Sequence, residues 1–171
     1  MSQIKNLSIR ARVAFGILCL ERILKHFQFD LIKWNILLNE LWKYTNSNVG
    51  KWHEIISEMT PFSINEQVDF ELKGCEYINK EKHDDLQKLY IDVNNDILKV
   101  IDLIFEIGTR DLYSSISNNS QDTIKYLQEI ILVLEKNDIE LPNIKQLQKF
   151  SILENNGWGR EFTKEELIEQ S

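Results

Sequence analysis

The segment from about residue 80 to 110 constrains this chain most, because its apolar residues recur at alternating spacings of four and three. This period places them on one side of an α-helix, whereas a half-buried strand would need a period of two. The stripe consists of Leu86, Tyr90, Val93, Ile97, Val100, Ile104 and Ile107, widened by Leu89, Ile101 and Phe105. The spacing therefore predicts one helix, about 40 Å long, at the centre of the domain.

Shorter stripes of the same period predict further helices over about residues 8–28, 31–46, 50–58, 121–137 and 143–150. Two prolines and six glycines leave few places where helices would break. In "VDFELKG" at 68–74 apolar and polar side chains alternate, and we expect a loop or a broken helix over residues 67–80. We predict an all-α, single-domain bundle of six to eight helices around one long central helix.

Local signals indicate where several helices begin. Ser8 and Asp30 are suited to cap the first two helices, and Ser120 or Asn119 the helix from about 121. The sequence "SINE" at 63–66 is typical of a capping box that starts a helix, after Pro61 has ended the previous one. A second box, "TKEE" at 163–166, predicts a short final helix. Gly16 predicts close packing of the first helix against a neighbour.

The net charge of −7 is distributed unevenly along the chain. Residues 1–60 carry +3 and residues 61–171 carry −10. Such acidity disfavours nucleic acid as a partner, because phosphates would be repelled. It favours a basic protein partner. The alternative, that the acidic residues serve only solubility, stays open.

The N-terminal apolar run "VAFGILCL" runs directly into Glu21, Arg22 and Lys25. It is short and lacks a small-residue cleavage site, so we interpret it as part of the first core helix and not as a signal peptide. No segment reaches the ~20 apolar residues needed to cross a membrane. We expect a cytoplasmic protein in which Cys19 and Cys75 form no disulfide framework.

Catalytic and cofactor motifs are not evident in the sequence. It contains no GxSxG, no P-loop and no GxGxxG motif, and His26, His53 and His83 are too scattered to form a metal site. We therefore predict no metal, no cofactor and no enzymatic activity. A catalytic alternative would need convergent polar groups, such as His53 or His83 with Asp84, or Cys75 beside a histidine.

Four carboxylates on the predicted long helix are the candidate protein-binding residues. Asp92 and Asp96 lie four residues apart, as do Asp102 and Glu106, so each pair can share a helix face. A solvated acidic face is the plainer interpretation. A recognition surface for a basic partner is the functional one.

The sequence "NNGWGREF" near the C-terminus places Trp158 between Gly157 and Gly159. These glycines can adopt backbone angles closed to other residues, so the chain can turn on both sides of the tryptophan. We predict a structural latch in which residues 151–171 pack back on the bundle, with Phe162 beside Trp158. The indole is expected to be mostly buried and its N–H hydrogen-bonded.

Two resemblances add to these predictions. "RVAFGILCLERILKHF" and "WNILLNELWKYT" resemble the opening of the YjaG-like bacterial family of unknown function, through Cys19, Glu21, Arg22, Leu41 and Trp42. Leu20 separates the cysteine from Glu21, which departs from that family's pattern. "LVLEKNDIEL" at 132–141 also resembles a helix end of this family, and together these stretches cover roughly a third of the chain.

The C-terminal "FSILENNGWGREF" resembles tails of helical immunity proteins from bacterial toxin systems. That resemblance implies a protein that is not an enzyme and that binds a toxin domain, often a basic nuclease, to block its active site. We expect a cytoplasmic immunity protein acting by stoichiometric binding. The alternative is a structural or regulatory helical module, homodimeric through the long helix.

Overall fold

The computed structural model describes residues 2–168, and the side chains of residues 3–167. Over this range the chain is helical, and its only β feature is an isolated bridge between Leu7 and Ser151. The α-helices are α1 Ser2–Lys5, α2 Ile9–His26, α3 Leu31–Trp42, α4 Val49–Ser57, α5 Pro61–Asn65, α6 Phe70–Lys73, α7 Lys80–Ile91, α8 Asn95–Thr109, α9 Gln121–Lys136 and α10 Glu165–Ile168. Short 3₁₀ turns occupy Lys43–Asn46, Ile144–Leu147 and Asn155–Gly157. The all-α prediction is confirmed.

The centre of the bundle is formed by α2, α8 and α9, which pack against one another. The helix α3 covers another side of α2, while α7 lies against α3 and α5. Gly16 allows the close approach of α2 to α8, since a Cβ atom there would lie 2.9 Å from Ile104 Cγ1. The close packing predicted at this glycine is confirmed.

The predicted single long helix is wrong, because α7 ends at Ile91 and α8 begins at Asn95. Asn94 has extended backbone angles, and its side chain accepts a hydrogen bond from the backbone N–H of Ile97 at 3.0 Å. An asparagine cap of this kind starts a new helix. The apolar period continues across the break because both helices bury their stripes in the same core. Periodicity alone cannot distinguish that arrangement from one straight helix.

The predicted start at the "SINE" box is also wrong. Thr60 caps α5 by accepting from the backbone N–H of Ser63, and Pro61 is the first residue of the helix. A proline is favourable there because the first helical N–H needs no intrahelical acceptor. Pro61 therefore begins a helix and does not end one, since α4 has already ended at Ser57.

Two buried arginines connect the start of α2 to distant loops. The Arg12 side chain is fully buried and donates to Thr123 Oγ1 at 2.6 Å and to the carbonyl oxygens of Asn119 and Lys5 at 2.7 and 3.0 Å. Burial lowers the pKa of Arg12 to about 10, which leaves the guanidinium charged at neutral pH. Arg10 donates to the carbonyl oxygens of Tyr44 and Ser47.

The C-terminal segment lies across the beginning of α2. Ser8 N–H donates to the Phe150 carbonyl at 2.9 Å, and Arg10 N–H donates to the Trp158 carbonyl at 3.2 Å. The second contact satisfies one of the first helical N–H groups, which have no acceptor within the helix. Phe162 is buried and stacks on Phe150 with ring centroids 3.8 Å apart.

The latch residues are placed as follows. Gly157 and Gly159 both have positive φ angles, of 96° and 81°. The indole of Trp158 is partly buried against the core, but its nitrogen makes no hydrogen bond to residues 2–168. The predicted hydrogen bond of the indole N–H is therefore not found in this range. The hydrogen bonds of Trp158 come from its backbone, whose N–H donates to the Asn155 carbonyl at 3.1 Å and whose carbonyl accepts from Arg10 N–H. The last three residues of the predicted tail, 169–171, lie outside the described range.

We expect Asn94→Ala to lower the free energy of unfolding by about 1 kcal/mol, because the first turn of α8 loses its cap. Asn95→Ala is the matched control, since Asn95 is exposed at the first position of the helix. Urea unfolding followed by circular dichroism measures both. Equal stability of the two variants would show that the Asn94 cap does not stabilise the start of α8.

We expect Gly159→Ala to lower the free energy of unfolding by about 3 kcal/mol, since a Cβ there would lie 2.3 Å from Ser8 Oγ and the φ angle is positive. Gly74→Ala, also at positive φ but with open space around it, should cost only about 1 kcal/mol. Thermal and urea unfolding compare the two. A Gly159 variant no less stable than the Gly74 variant would contradict tight packing of the segment on Ser8.

Candidate protein-binding surface

The four predicted acidic residues do not form one cluster. Asp96, in the first turn of α8, accepts from Lys136 Nζ at 2.9 Å and from Asn137 Nδ2 at 3.2 Å. These hydrogen bonds hold the pKa of its carboxyl group below the usual value. The charge of Asp96 is therefore used within the fold, to join α8 to the end of α9.

Asp92 is exposed at the C-terminal end of α7. It lies at the edge of a cleft of about 700 Å³ between α3 and α7. The buried indole of Trp34 and the side chain of Leu89 contribute to the apolar part of this cleft. The rim carries charges of both signs, including Lys33 and the ion pair of Lys88 with Asp85. Asp92 thus belongs to the cleft between α3 and α7, whereas the other three carboxylates lie on α8.

Asp102 and Glu106 are brought together by one turn of α8. Within the described part of the chain, neither side chain has a hydrogen bond or an ion pair. Asp102 is half-buried, and its pKa is raised to about 6, first by burial and then by the negative charge of Glu106. No cation offsets these two effects. Asp102 and Glu106 are therefore two neighbouring carboxylates without a cationic partner in the described chain, and we call them the acidic pair.

Aromatic side chains border this acidic pair. Phe105 follows Asp102 by three residues, so it lies on the adjoining face of α8. His53 of α4 stacks on Phe105 with ring centroids 5.9 Å apart. Tyr113 packs edge-on against His53 at 6.2 Å and is 87% exposed. We call these five residues, His53, Asp102, Phe105, Glu106 and Tyr113, the α4–α8 surface.

The aromatic members of the α4–α8 surface were not predicted from the sequence. Tyr113 lies in the polar stretch "YSSISNNSQDT", between two of the segments predicted to be helical. His53 and Phe105 are far apart in sequence. Phe105 was predicted as a packing residue of the apolar stripe, and His53 was named as a candidate only for the catalytic alternative. A large aromatic at the edge of a polar turn was the one available signal for an exposed anchor.

The remaining histidines are separated from one another. His26 packs edge-on against Phe27, whereas His83 is buried against Phe70 with its Nδ1 atom 3.4 Å from Asp84 Oδ1. The His83–Asp84 pair of the catalytic alternative is not part of the pockets described for this chain. Across residues 2–168, no group of three or more His, Cys, Asp or Glu side chains is arranged to hold a metal ion.

The two cysteines are free thiols in different environments. Cys19 is buried in α2, and burial raises the pKa of its thiol. Cys75 is partly buried, and burial followed by the nearby carboxylate of Glu58 raises its pKa. Both thiols are thus held in the protonated form at neutral pH, which makes them weak nucleophiles.

An apolar groove of about 580 Å³ lies between α9, the start of α2 and the segment that follows α9. Its apolar walls are Ile4, Phe15, Ile131, Leu132, Leu141, Pro142 and Ile144. Leu132 is largely exposed there, so one face of α9 is only partly covered by the rest of the chain. The groove has few polar groups that could orient a ligand.

Comparison with known protein families, curated proteins and solved structures finds no match to this chain. The resemblances to the YjaG-like family and to immunity proteins therefore stay predictions. None of the described helices combines the length and the apolar character that a membrane crossing requires.

We expect Asp102→Asn to stabilise the protein at pH 7.5 by on the order of 1 kcal/mol, a value reduced for solvent screening. The Asp102 carboxyl keeps its proton up to about pH 6 when folded, but only to about pH 4 when unfolded. Between these values the unfolded chain releases its proton first, so the free energy of unfolding falls as pH rises. The advantage of the variant should therefore shrink towards pH 4 in urea unfolding.

Asp96→Asn is the matched control on the same helix and should act in the opposite direction. Its folded-state pKa is lowered, so the charged carboxylate stabilises the fold above the unfolded pKa and that contribution is lost on acidification. The variant should be less stable than the wild type at pH 7.5. The same sign of change in both variants would contradict the assignment of Asp102 as the unpaired charge.

Proposed function

We propose that the chain is a cytoplasmic immunity protein that neutralises a toxin domain by stoichiometric binding, without catalysis of its own. The observation that carries the proposal is the unpaired acidic pair of Asp102 and Glu106. A half-buried carboxylate beside a second carboxylate is unfavourable in the free protein. A cation from a partner would remove that cost on binding, which favours a basic partner.

The aromatic residues beside this pair supply a second component of binding. Tyr113 is 87% exposed and packs edge-on against His53, which in turn stacks on Phe105. Tyrosines and tryptophans contribute strongly to protein interfaces because they bury much apolar area while keeping a polar group. An arginine of the partner can pair with the carboxylates and stack on such a ring.

The charge of the whole chain supports the same kind of partner. A net charge of −7 repels nucleic acid and accelerates encounter with a basic protein domain. A nuclease domain that binds phosphates through lysines and arginines presents the complementary charges. If Asp102 and Glu106 paired with those lysines and arginines, the nucleic-acid substrate of the nuclease could no longer bind them.

The alternative proposal is a structural or regulatory module that pairs with a second copy of itself. The apolar stripe of α8 is buried within this chain, so a dimer through that helix would lack its expected interface. The groove beside α9, with the exposed Leu132, is the observation that would favour self-association. Sedimentation at increasing protein concentration distinguishes this alternative from a monomer that binds a different protein.

We expect a 1:1 complex with the toxin domain encoded by a neighbouring gene, and rescue of cells that express that toxin. Charge reversal of the acidic pair, Asp102→Lys with Glu106→Lys, should weaken the complex at least about 100-fold, since favourable charge pairs become repulsive. Isothermal titration and growth assays give the two readouts. The matched control reverses two exposed carboxylates elsewhere, Glu81→Lys with Glu135→Lys.

Loss of binding in the Asp102 and Glu106 variant alone would support the proposal, provided that circular dichroism shows an intact fold. Two results would overturn it. One is the absence of any complex and of any rescue at micromolar concentration. The other is equal weakening by both pairs of substitutions, which would indicate net charge and not a defined surface.

A further inference from the structure

Residues 62–76, which we call the α5–α6 arm, expose large apolar side chains. Phe62 is 81% exposed and Leu72 is 77% exposed, and Val68 between them is also exposed. Isolated apolar residues on a surface are ordinary, but several of them within one short segment are characteristic of interaction sites. The α5–α6 arm contributes no buried side chain from α6 to the core.

The same segment carries a concentration of unpaired carboxylates. Glu66, Asp69, Glu71 and Glu76 are all exposed, and their side chains make no hydrogen bond or ion pair with the residues that the structure describes. The one cation of the arm, Lys73, points inward and donates from Nζ to the carbonyl of Ser63 at 2.6 Å. The outer surface of the arm is therefore both apolar and negatively charged.

The backbone of the α5–α6 arm is anchored at both ends. At its start Ile64 is fully buried in the core. At its end the carboxylate of Glu58 accepts hydrogen bonds from the backbone N–H groups of Glu76, Tyr77 and Ile78, at 2.7, 2.9 and 3.0 Å. Three such bonds to one carboxylate fix the turn that leads into α7. The exposed side chains are thus presented on a defined backbone.

The α5–α6 arm also lies close to the acidic pair on α8. The helix α5 packs against both α7 and α8. Tyr90 of α7 donates its hydroxyl to the carbonyl of Met59, just before the arm. Burial first, and then the charge of Asp102, raise the pKa of the same tyrosine. A partner that covers Asp102 is therefore placed to reach the arm.

We propose that the α5–α6 arm is a docking surface for a protein partner that presents an apolar strip flanked by lysines or arginines. This inference rests on the proposed function and assigns to the same interface its apolar component. Binding would remove Phe62 and Leu72 from water, while the partner's cations would pair with Glu66, Asp69 and Glu71. The arm carries four exposed carboxylates, Glu66, Asp69, Glu71 and Glu76, against one lysine, so its net negative charge attracts a basic partner.

The probe is a fluorescein-labelled, 14-residue amphipathic helical peptide made of leucine and lysine. We expect fluorescence anisotropy to show saturable binding that weakens with salt, as pairing between exposed charges does. Phe62→Ser with Leu72→Ser should weaken binding at least about tenfold. The matched control removes two exposed apolar residues elsewhere, Ile91→Ser with Leu153→Ser, and should leave the affinity unchanged.

The charged component is tested separately with Glu66→Gln, Asp69→Asn and Glu71→Gln in one protein. We expect weaker binding of the lysine peptide and a smaller dependence on salt concentration. A peptide in which glutamate replaces every lysine should not bind the wild-type protein. Since all five substituted residues of the arm are exposed, the variants should unfold at nearly the wild-type temperature, which calorimetry checks.

The docking proposal is overturned if the lysine peptide does not bind, or if the arm variants and the control variants bind it equally. Failure of the proposed function is a different result, because the toxin domain would then form no complex even with the wild-type protein. A toxin complex that requires Asp102 and Glu106 but tolerates Phe62→Ser with Leu72→Ser would remove the arm from the interface and leave the proposed function standing.

Discussion

The buried guanidinium of Arg12 is the interaction on which the arrangement of the bundle depends. One charged group at the start of α2 satisfies carbonyl oxygens at Lys5 and Asn119 and the hydroxyl of Thr123. These acceptors belong to three separate segments, so the N-terminal turn, the loop before α9 and α9 itself are fixed together at one point. A charge without partners at this depth would cost several kcal/mol, and only the assembled fold provides these acceptors. The position of α9 against α2 and α8 follows from this constraint.

Charged groups on the α4–α8 surface differ from those near the core in whether they have partners within the chain. Most charged groups in and near the core have partners, as for Asp96 with Lys136 or Glu58 with three backbone N–H groups. Asp102 and Glu106, in contrast, repel each other without a compensating cation. Sites that bind other molecules are often locally unfavourable in the free protein, because their complementary groups belong to the partner. The same reasoning applies to the exposed apolar residues of the α5–α6 arm.

The sequence allowed the helices to be predicted better than their connections. Apolar stripes located α2, α3, α4 and α9 within a few residues, because each stripe has a buried side. The predicted caps of α2 and α3 at Ser8 and Asp30 are confirmed, whereas the predicted cap of α9 at Ser120 is wrong, since its side chain makes no capping hydrogen bond. The division between α7 and α8 was missed, since the cap at Asn94 is a single side chain inside an unbroken apolar period. The acidic residues were found by spacing, but their separation into paired Asp96 and unpaired Asp102 depends on α9, which is distant in sequence. The α5–α6 arm was not predicted, because it is recognised by the solvent exposure of Phe62 and Leu72, which the periodicity of a sequence does not reveal.

The contact between the two ends of the described chain has a consequence for biosynthesis. The carbonyl oxygens of Phe150 and Trp158 accept from N–H groups at the start of α2, and Arg10 reaches Glu161, which is 151 residues further along the chain. At a ribosomal rate of ~15 residues per second, α2 emerges on the order of ten seconds before the segment that completes its first turn. During that interval Leu7 and its apolar neighbours lack their cover. The segment around Phe150 to Glu161 therefore closes the bundle only after the helices before it have been made, and a ribosome that stalls before this segment would release a protein with an open N-terminal edge.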